Sequence, residues 1–384
     1  MEAIHAVWTF PAIILAAMLI AWAAECGQFY ISQGLALAVL AWVQTLPEFA
    51  VEATIALEAA KDPAKVHLIT ANFTGSLRLF VGLGWPMVYF VAFFCRGRKF
   101  HTRENGFWSI HMDDDQCVAV LSLLPALAYF VWIYLKGTLT LFDGVALTAI
   151  YAFYFYLLSK MPPQSAEGIE DLGRIPRALM KLEKKKSILG IFLFFAAGAL
   201  ILWFVAHPFL ESMLALALAV GVSQFVFVQW VAPFLSEFPE KLSAFHWARQ
   251  TKKAPMALAN FVSSSINQWT ILVATVPFIY SFGLGHPAEI VFDEHQKVEI
   301  LLTIVQSYLG FLFLASMDFS FPEAAGLFAL WIVQFFVPGL REEITWVYAG
   351  WALVETARML KNRRRENAFS VFGKLSRECL FKRV

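Results

Sequence analysis

Two carboxylic acids follow prolines inside strongly apolar stretches, as Pro47-Glu48 and Pro239-Glu240. A proline within a helix removes a backbone donor and clashes with the carbonyl one turn back, so the helix breaks there. At membrane depth the freed carbonyls are tolerated only where they line a cavity or bind something. A carboxylate beside them completes an oxygen-rich cradle suited to a hard cation. One ionisable residue at mid-bilayer costs about 2.5–3.5 kcal/mol on insertion scales, and intramembrane acids are functional by default. The structural alternative is a pair of protonated carboxyls serving as interhelical hydrogen-bond partners.

The chain around these acids is a membrane protein. Of its 384 residues, 59% are hydrophobic and 15% charged, against roughly 45–50% and about 25% in soluble domains. That excludes a soluble enzyme, a disordered chain and a nucleic-acid binder of the basic-patch kind. Cys26, Cys95, Cys117 and Cys379 lie far apart without a CxxC pair, so neither a disulfide framework nor a zinc site is indicated. A spanning helix takes about 20 apolar residues. Spans are expected near 8–25, 33–60, 66–95, 116–135, 141–160, 187–207, 212–248, 254–283, 299–316 and 322–338. The first lacks a basic leader and reads as a span, not a cleaved signal. An eleventh segment, 342–360, opens with charge and either crosses or lies in the interface. With the N-terminus outside and eleven crossings, 23 of the 30 Lys and Arg fall on the inner side and five on the outer. Basic residues concentrate in cytoplasmic loops, so the C-terminus is expected in the cytoplasm of a cell-membrane protein. Lys184-Lys185-Lys186 and Arg363-Arg364-Arg365 contribute to that signal.

The proline-acid pairs belong to a repeat. TLPEFAVEA at 45–53 is followed by ANFTGS at 71–76, with Asn72 25 residues after Pro47. EFPEKLSAF at 237–245 is followed by ANFVSS at 259–264, with Asn260 21 residues after Pro239. The copies fall on spans two and three and on spans seven and eight. An offset of five spans reverses the direction of travel, so the copies are inverted. Inverted repeats with interrupted helices near the midplane point to a secondary transporter.

At these residues the sequence resembles the calcium/cation antiporter superfamily, which includes the sodium/calcium exchangers. That family carries GTSxPE on spans two and seven and GNxxGSN on spans three and eight. Gln44-Thr45-Leu46-Pro47-Glu48 and Ser236-Glu237-Phe238-Pro239-Glu240 sit on the first pattern without its glycine. Ala71–Ser76 and Ala259–Ser264 sit on the second, and Leu141-Phe142-Asp143-Gly144 resembles the family's opening of span five. The resemblance implies an all-α polytopic fold of two inverted five-helix repeats, ten transmembrane helices, here with an extra C-terminal helix. The corresponding division is 1–160, a cytoplasmic linker 161–186, 187–338, and a C-terminal helix with basic tail 339–384. It implies no enzyme and no cofactor, with calcium, sodium or protons carried between Glu48 and Glu240. Thr45, Ser76, Ser236 and Ser264 would be neutral oxygen ligands. Glu237 would add a third acid, and Gln268 stands where the family commonly has a further Asn or Asp. Phe80 takes the matching place in span three. The implied partners are the bilayer and small inorganic cations, with no nucleic acid; the sequence leaves the oligomer open.

Other residues admit two readings each. Arg78 pairs structurally with a carboxyl elsewhere or acts as a built-in cation; it lies about 200° around the helix from Ser76. Glu52, four residues after Glu48 and on the same face, lines a path to the site or is an interfacial acid. Lys241 is expected to point away and snorkel to the cytoplasmic side. His111 with Asp113–Asp115 reads as a solvated cap before span four or as a metal site. The acidic stretch from His286 to Glu299 gathers cations or is a plain polar loop.

The leading reading is a secondary cation antiporter working by alternating access. Its competitors are a proton- or sodium-coupled carrier of another solute and a non-transporting subunit on the same scaffold. No HExxH, GxSxG or paired-aspartate enzyme signature occurs.

Overall fold

The computed structural model describes residues 2–27, 29–30, 42, 45–95, 108–160, 168–219, 221, 223–250, 253–361 and 367–379. Gln44, most of the expected start of span two, and the basic residues at 96–103, Lys252 and 363–365 lie outside these residues. Helices dominate. In chain order they are α1 (Ala6–Gly27), α2 (Leu46–Lys61), α3 (Val66–Leu79), α4 (Trp85–Cys95), α5 (Cys117–Lys136), α6 (Leu141–Ser159), α7 (Arg174–Met180) and α8 (Lys184–Ala219). There follow α9 (Gln224–Ser236), α10 (Phe238–Arg249), α11 (Ala254–Asn267), α12 (Val273–Leu284), α13 (Glu294–Ala315), α14 (Phe321–Phe336), α15 (Arg341–Lys361) and α16 (Ala368–Cys379). Among the described residues, five helical stretches are long and apolar enough to cross a membrane: Pro63–Cys95, Cys117–Lys136, Leu141–Ser159, Lys184–Val205 and Glu294–Ala315. Ala6–Ile20, Phe225–Ser236 and Phe321–Phe336 are shorter apolar helices.

The chain forms two compact units, each assembled from both halves of the sequence: 1–72 with 155–240, and 73–154 with 241–384. In the first unit α1 packs along α8, where a side chain at Gly198 would strike Ile20 and the Ala16 carbonyl. The turn expected at 208–211 between spans six and seven does not form. Instead α8 continues through Pro208 to Ala219, about 54 Å at 1.5 Å per residue, and span seven begins only at Gln224. Contacts with α1 sustain the helix past the proline: Phe10 and Phe209 pack edge to face at 5.4 Å, and Thr9 and Ser212 hydroxyls bond at 3.0 Å.

The second unit contains two π-helical turns, Phe80–Gly84 and Gln268–Leu272. Each begins eight residues after the motif asparagine, Asn72 or Asn260, so the repeat extends to a backbone feature that recurs at functional sites. Gly82 in the first turn lies against the indole of Trp331, where a Cβ would collide. Gly82→Ala should therefore lower the thermal midpoint in detergent, reflecting about 1–3 kcal/mol of overpacking; an unchanged midpoint would mean that Trp331 turns aside freely.

The segment that opens with Arg341 does not lie apart from the bundle. Helix α15 runs in the same direction as α13: Arg341 meets Glu299 near their starts, and Tyr308 meets Thr356 at 3.1 Å further along. Two antiparallel two-stranded pairs tie loops together. β1 (Ser109–His111) pairs with β4 (Asp318–Ser320), and β2 (Thr138–Leu139) with β3 (Ile290–Val291). Asp143 of the Leu141–Gly144 motif is a buried cap that accepts from Thr140 N and Oγ1, both at 2.7 Å, from Tyr129 at 3.0 Å, and from Lys136.

Candidate cation site

Both proline-acid pairs open a helix. α2 begins at Leu46 with Pro47 in its first turn, where the missing N–H would have been unsatisfied anyway. α9 ends at Ser236, Glu237 leaves helical geometry with ψ +6°, and α10 begins at Phe238 with Pro239 next. Glu48 and Glu240 thus occupy matching first-turn positions, where the positive end of the helix dipole favours negative charge.

In the first unit Thr45, Glu48, Ser236, Glu237 and Glu240 are all at or below 2% exposure. The Thr45 hydroxyl donates to the Trp42 carbonyl at 2.9 Å and the Ser236 hydroxyl to the Ala232 carbonyl at 3.0 Å. Both hydroxyl protons are thus directed to backbone carbonyls. Glu52, equally buried, accepts from the Asn72 amide. Among the described residues no three His, Cys, Asp or Glu side chains gather as a metal cluster. The acids available to a cation therefore act at most in pairs, with neutral oxygens making up the remainder.

In the second unit Ser76, Ser264 and Gln268 are wholly buried. Phe80 packs against Phe261 at 5.3 Å. Lys241 departs from the expected snorkelling: it is 6% exposed, and its ammonium sits 5.1 Å from the centre of the Phe80 ring. The ring face attracts the cation and compensates part of its lost hydration.

Arg78 has a structural partner. Its guanidinium is shared among Glu299, the Gln334 side-chain carbonyl at 3.2 Å and the Thr74 carbonyl at 3.2 Å. Arg341 binds the other oxygen of Glu299, Gln334 donates to Gln306 at 3.1 Å, and Gln306 donates to the Arg78 carbonyl at 3.1 Å. In the sequence Glu299 closes the acidic stretch that begins at His286, and nothing local to it reveals this clamp. The readable signal was the arginine at 78, whose charge in an apolar span demands a carboxylate. In the same stretch Asp293 caps α13 in a capping box with Gln296. His111 meets Asp318 at 3.2 Å, and Asp113 bonds Gln116. The His111–Asp115 segment thus contributes local pairing. Burial also pushes the Asp113 carboxyl above its usual range.

These features define a polytopic helical membrane protein of inverted repeats with a buried pair of first-turn acids, the architecture of a secondary transporter. The sequence matches the family "Sodium/calcium exchanger protein" over residues 3–160 and 190–338. The chain belongs to that family, within the calcium/cation antiporter superfamily. Among solved structures, the crystal structure of the H+/Ca2+ exchanger CAX is 29% identical, with a TM-score of 0.87 over 99% of this chain and 92% of that one. The sodium-calcium exchanger NCX_Mj is 19% identical, with a TM-score of 0.56 over 87% of this chain and 99% of that one, and shares the fold. No curated protein sequence matches the chain significantly. Its relatives are exchangers and not enzymes.

Proposed function

We propose that the protein is a secondary antiporter that exchanges calcium for protons across the cell membrane by alternating access. The observation that carries this reading is the matched pair Glu48 and Glu240, each buried in the first turn of a helix opened by a proline. Two carboxylates neutralise one divalent ion, and emptying the site requires that monovalent cations take its place. The greater likeness to a proton/calcium exchanger than to a sodium/calcium exchanger favours protons as the counter-ion. Thr45 and Ser236 supply neutral oxygens beside the pair, and Glu237 lies at the break itself. Ser76, Ser264 and Gln268 retain the ligand places that the family pattern assigns them. Purified protein in liposomes should take up calcium against an opposed proton gradient. Uptake driven by sodium alone would assign the exchange to sodium, and no uptake under either gradient would reject the antiporter.

The repeats are assigned to 1–160 and 187–338, joined by a cytoplasmic linker, with 339–384 appended. The N-terminus is outside and the C-terminus cytoplasmic. Support comes from the parallel course of α13 and α15, and from the β pairs, which join loops that the charge bias assigns to common sides. A reporter fused after Val384 should be active only in the cytoplasm; activity only outside would reverse the topology.

Calcium takes six to eight oxygens and binds more tightly as ligand charge accumulates. With Phe80 and Gln268 in the helper positions, calcium binding should be weaker than in relatives that keep an acid in span eight. Gln268→Asp should tighten calcium binding by about tenfold, about 1.4 kcal/mol, measured by equilibrium dialysis; weaker or unchanged binding would remove Gln268 from the site.

A further inference from the structure

The long helix α8 places a histidine between two carboxylates. Because α8 runs unbroken through Pro208, His207 and Glu211 lie one turn apart on the same face. His207 stands about 35 Å along the helix from Lys184 at 1.5 Å per residue. That is past the roughly 30 Å of a hydrocarbon layer, and its ring is half exposed. Nδ1 sits 3.5 Å from Glu211 Oε2 on the same helix, and Nε2 sits 3.5 Å from Glu58 Oε1 on α2. α2 is also the helix that carries Glu48.

The elements packed against α8 are α1, the turn Glu2–His5 before it, α2, α7 and α9. On α2, Lys61 bonds Glu58 Oε1, and Lys65 from the following turn bonds Oε2, both at 3.1 Å. Glu48 and Glu52 lie deeper on α2. His5 accepts from the Trp8 indole at 3.1 Å, and Glu2 stands in the same turn. α9 contains no ionisable residue, and α1 contains only Glu25 and Cys26, at its other end. Arg174 and Arg177 of α7 and Lys184–Lys186 stand at the opposite end of α8. His67, beyond the turn, faces the Ala64 carbonyl and stacks on Phe225. Glu211 has no other ion pair among the described residues. With both oxygens of Glu58 held by lysines, the group does not gather as a metal cluster.

A neutral imidazole has one N–H and one lone pair. In either tautomer, one of the two carboxylates therefore meets a lone pair. Protonation makes both nitrogens donors, and the ring then bridges Glu211 to Glu58. Glu58 belongs to the first repeat and His207 to the second, and alternating access rocks one repeat against the other. We propose that His207 is an external proton-sensing site whose protonation ties α8 to α2 and slows exchange. This rests on the antiporter reading and topology above, and the proton is not one of those carried. Uptake from the outer solution forms one N–H bond, and release to the same side breaks it.

The test is exchange of radioactive for unlabelled calcium across proteoliposomes with equal pH on both sides. No proton gradient then drives the flux, and acid competing at Glu48 and Glu240 slows parent and variant alike. The two conditions are about pH 8 and about pH 5.5, either side of the ordinary histidine value of about 6.5. At the higher pH His207→Gln should match the parent. At the lower it should exchange up to about fivefold faster, the size of an exposed ion pair. Glu211→Gln should show the same excess, and it decides the matter should His207→Gln fail to fold. A variant-to-parent ratio equal at both pH values would overturn the proposal. Spin labels at the outer ends of α2 and α8 give a second readout. Their distance distribution should narrow in acid for the parent and not for His207→Gln; a parent distribution that ignores pH would also overturn it. A parent that exchanges no calcium at any pH rejects the antiporter reading instead, and the spin-label distances still report whether the bridge forms.

Discussion

Replacing Glu299 by glutamine is expected to destabilise the protein by about 3–5 kcal/mol, the cost of stripping one partner from a buried ion pair. Glu299 is the shared anion of Arg78 and Arg341, with all three side chains at or below 7% exposure. Glutamine keeps the shape but leaves two guanidinium charges facing each other without compensation. The effect should appear as a fall in the denaturant midpoint of the detergent-solubilised protein. A combined Arg78→Met, Glu299→Leu, Arg341→Met variant should recover much of the loss, because replacing a whole buried charge network with apolar groups is often near neutral. A Glu299→Gln variant within 1 kcal/mol of the parent would mean that the clamp contributes little. Because Arg341 lies beyond the family match, which ends at 338, the same result measures how firmly the appended helix belongs to the bundle.

The second large effect concerns the glutamates at 48 and 240. Each Glu→Gln change preserves side-chain size and removes one of the two charges offered to calcium. Loss of one buried charged partner, about 3–5 kcal/mol, corresponds to roughly a hundred- to several-thousandfold weaker binding at 1.4 kcal/mol per decade. Equilibrium binding of radioactive calcium measures it. Because the two residues occupy equivalent first-turn positions, the two losses should be of similar size. A variant that binds calcium like the parent would remove its glutamate from the site.

The helix starts that seat the candidate acids are legible in the sequence because proline leaves a local mark: Pro47 and Pro239 each lie in the first turn of a helix. Arg78 likewise announces a missing carboxylate through its charge. What stays hidden depends on contacts between distant segments. Glu299 looks like part of a polar loop until α13 and α15 are seen side by side. Pro208 is the converse case, since packing of Phe209 and Ser212 on α1 overrides the usual break. Lys241 misleads in the same manner: its long stem permits snorkelling, but an aromatic ring at Phe80 gives the ammonium a nearer partner. The π turns at Phe80 and Gln268 carry no sequence signature beyond their fixed distance from the two asparagines.

The central claim is that Glu48 and Glu240 together couple calcium movement to a counter-ion gradient. The direct measurement is calcium flux into proteoliposomes under an imposed proton gradient, with the parent protein, Glu48→Gln and Glu240→Gln reconstituted in equal amounts. Gradient-driven uptake by the parent and its loss in both variants is the predicted result. Parent-like uptake by both variants would contradict the two-glutamate site and assign the scaffold to another purpose.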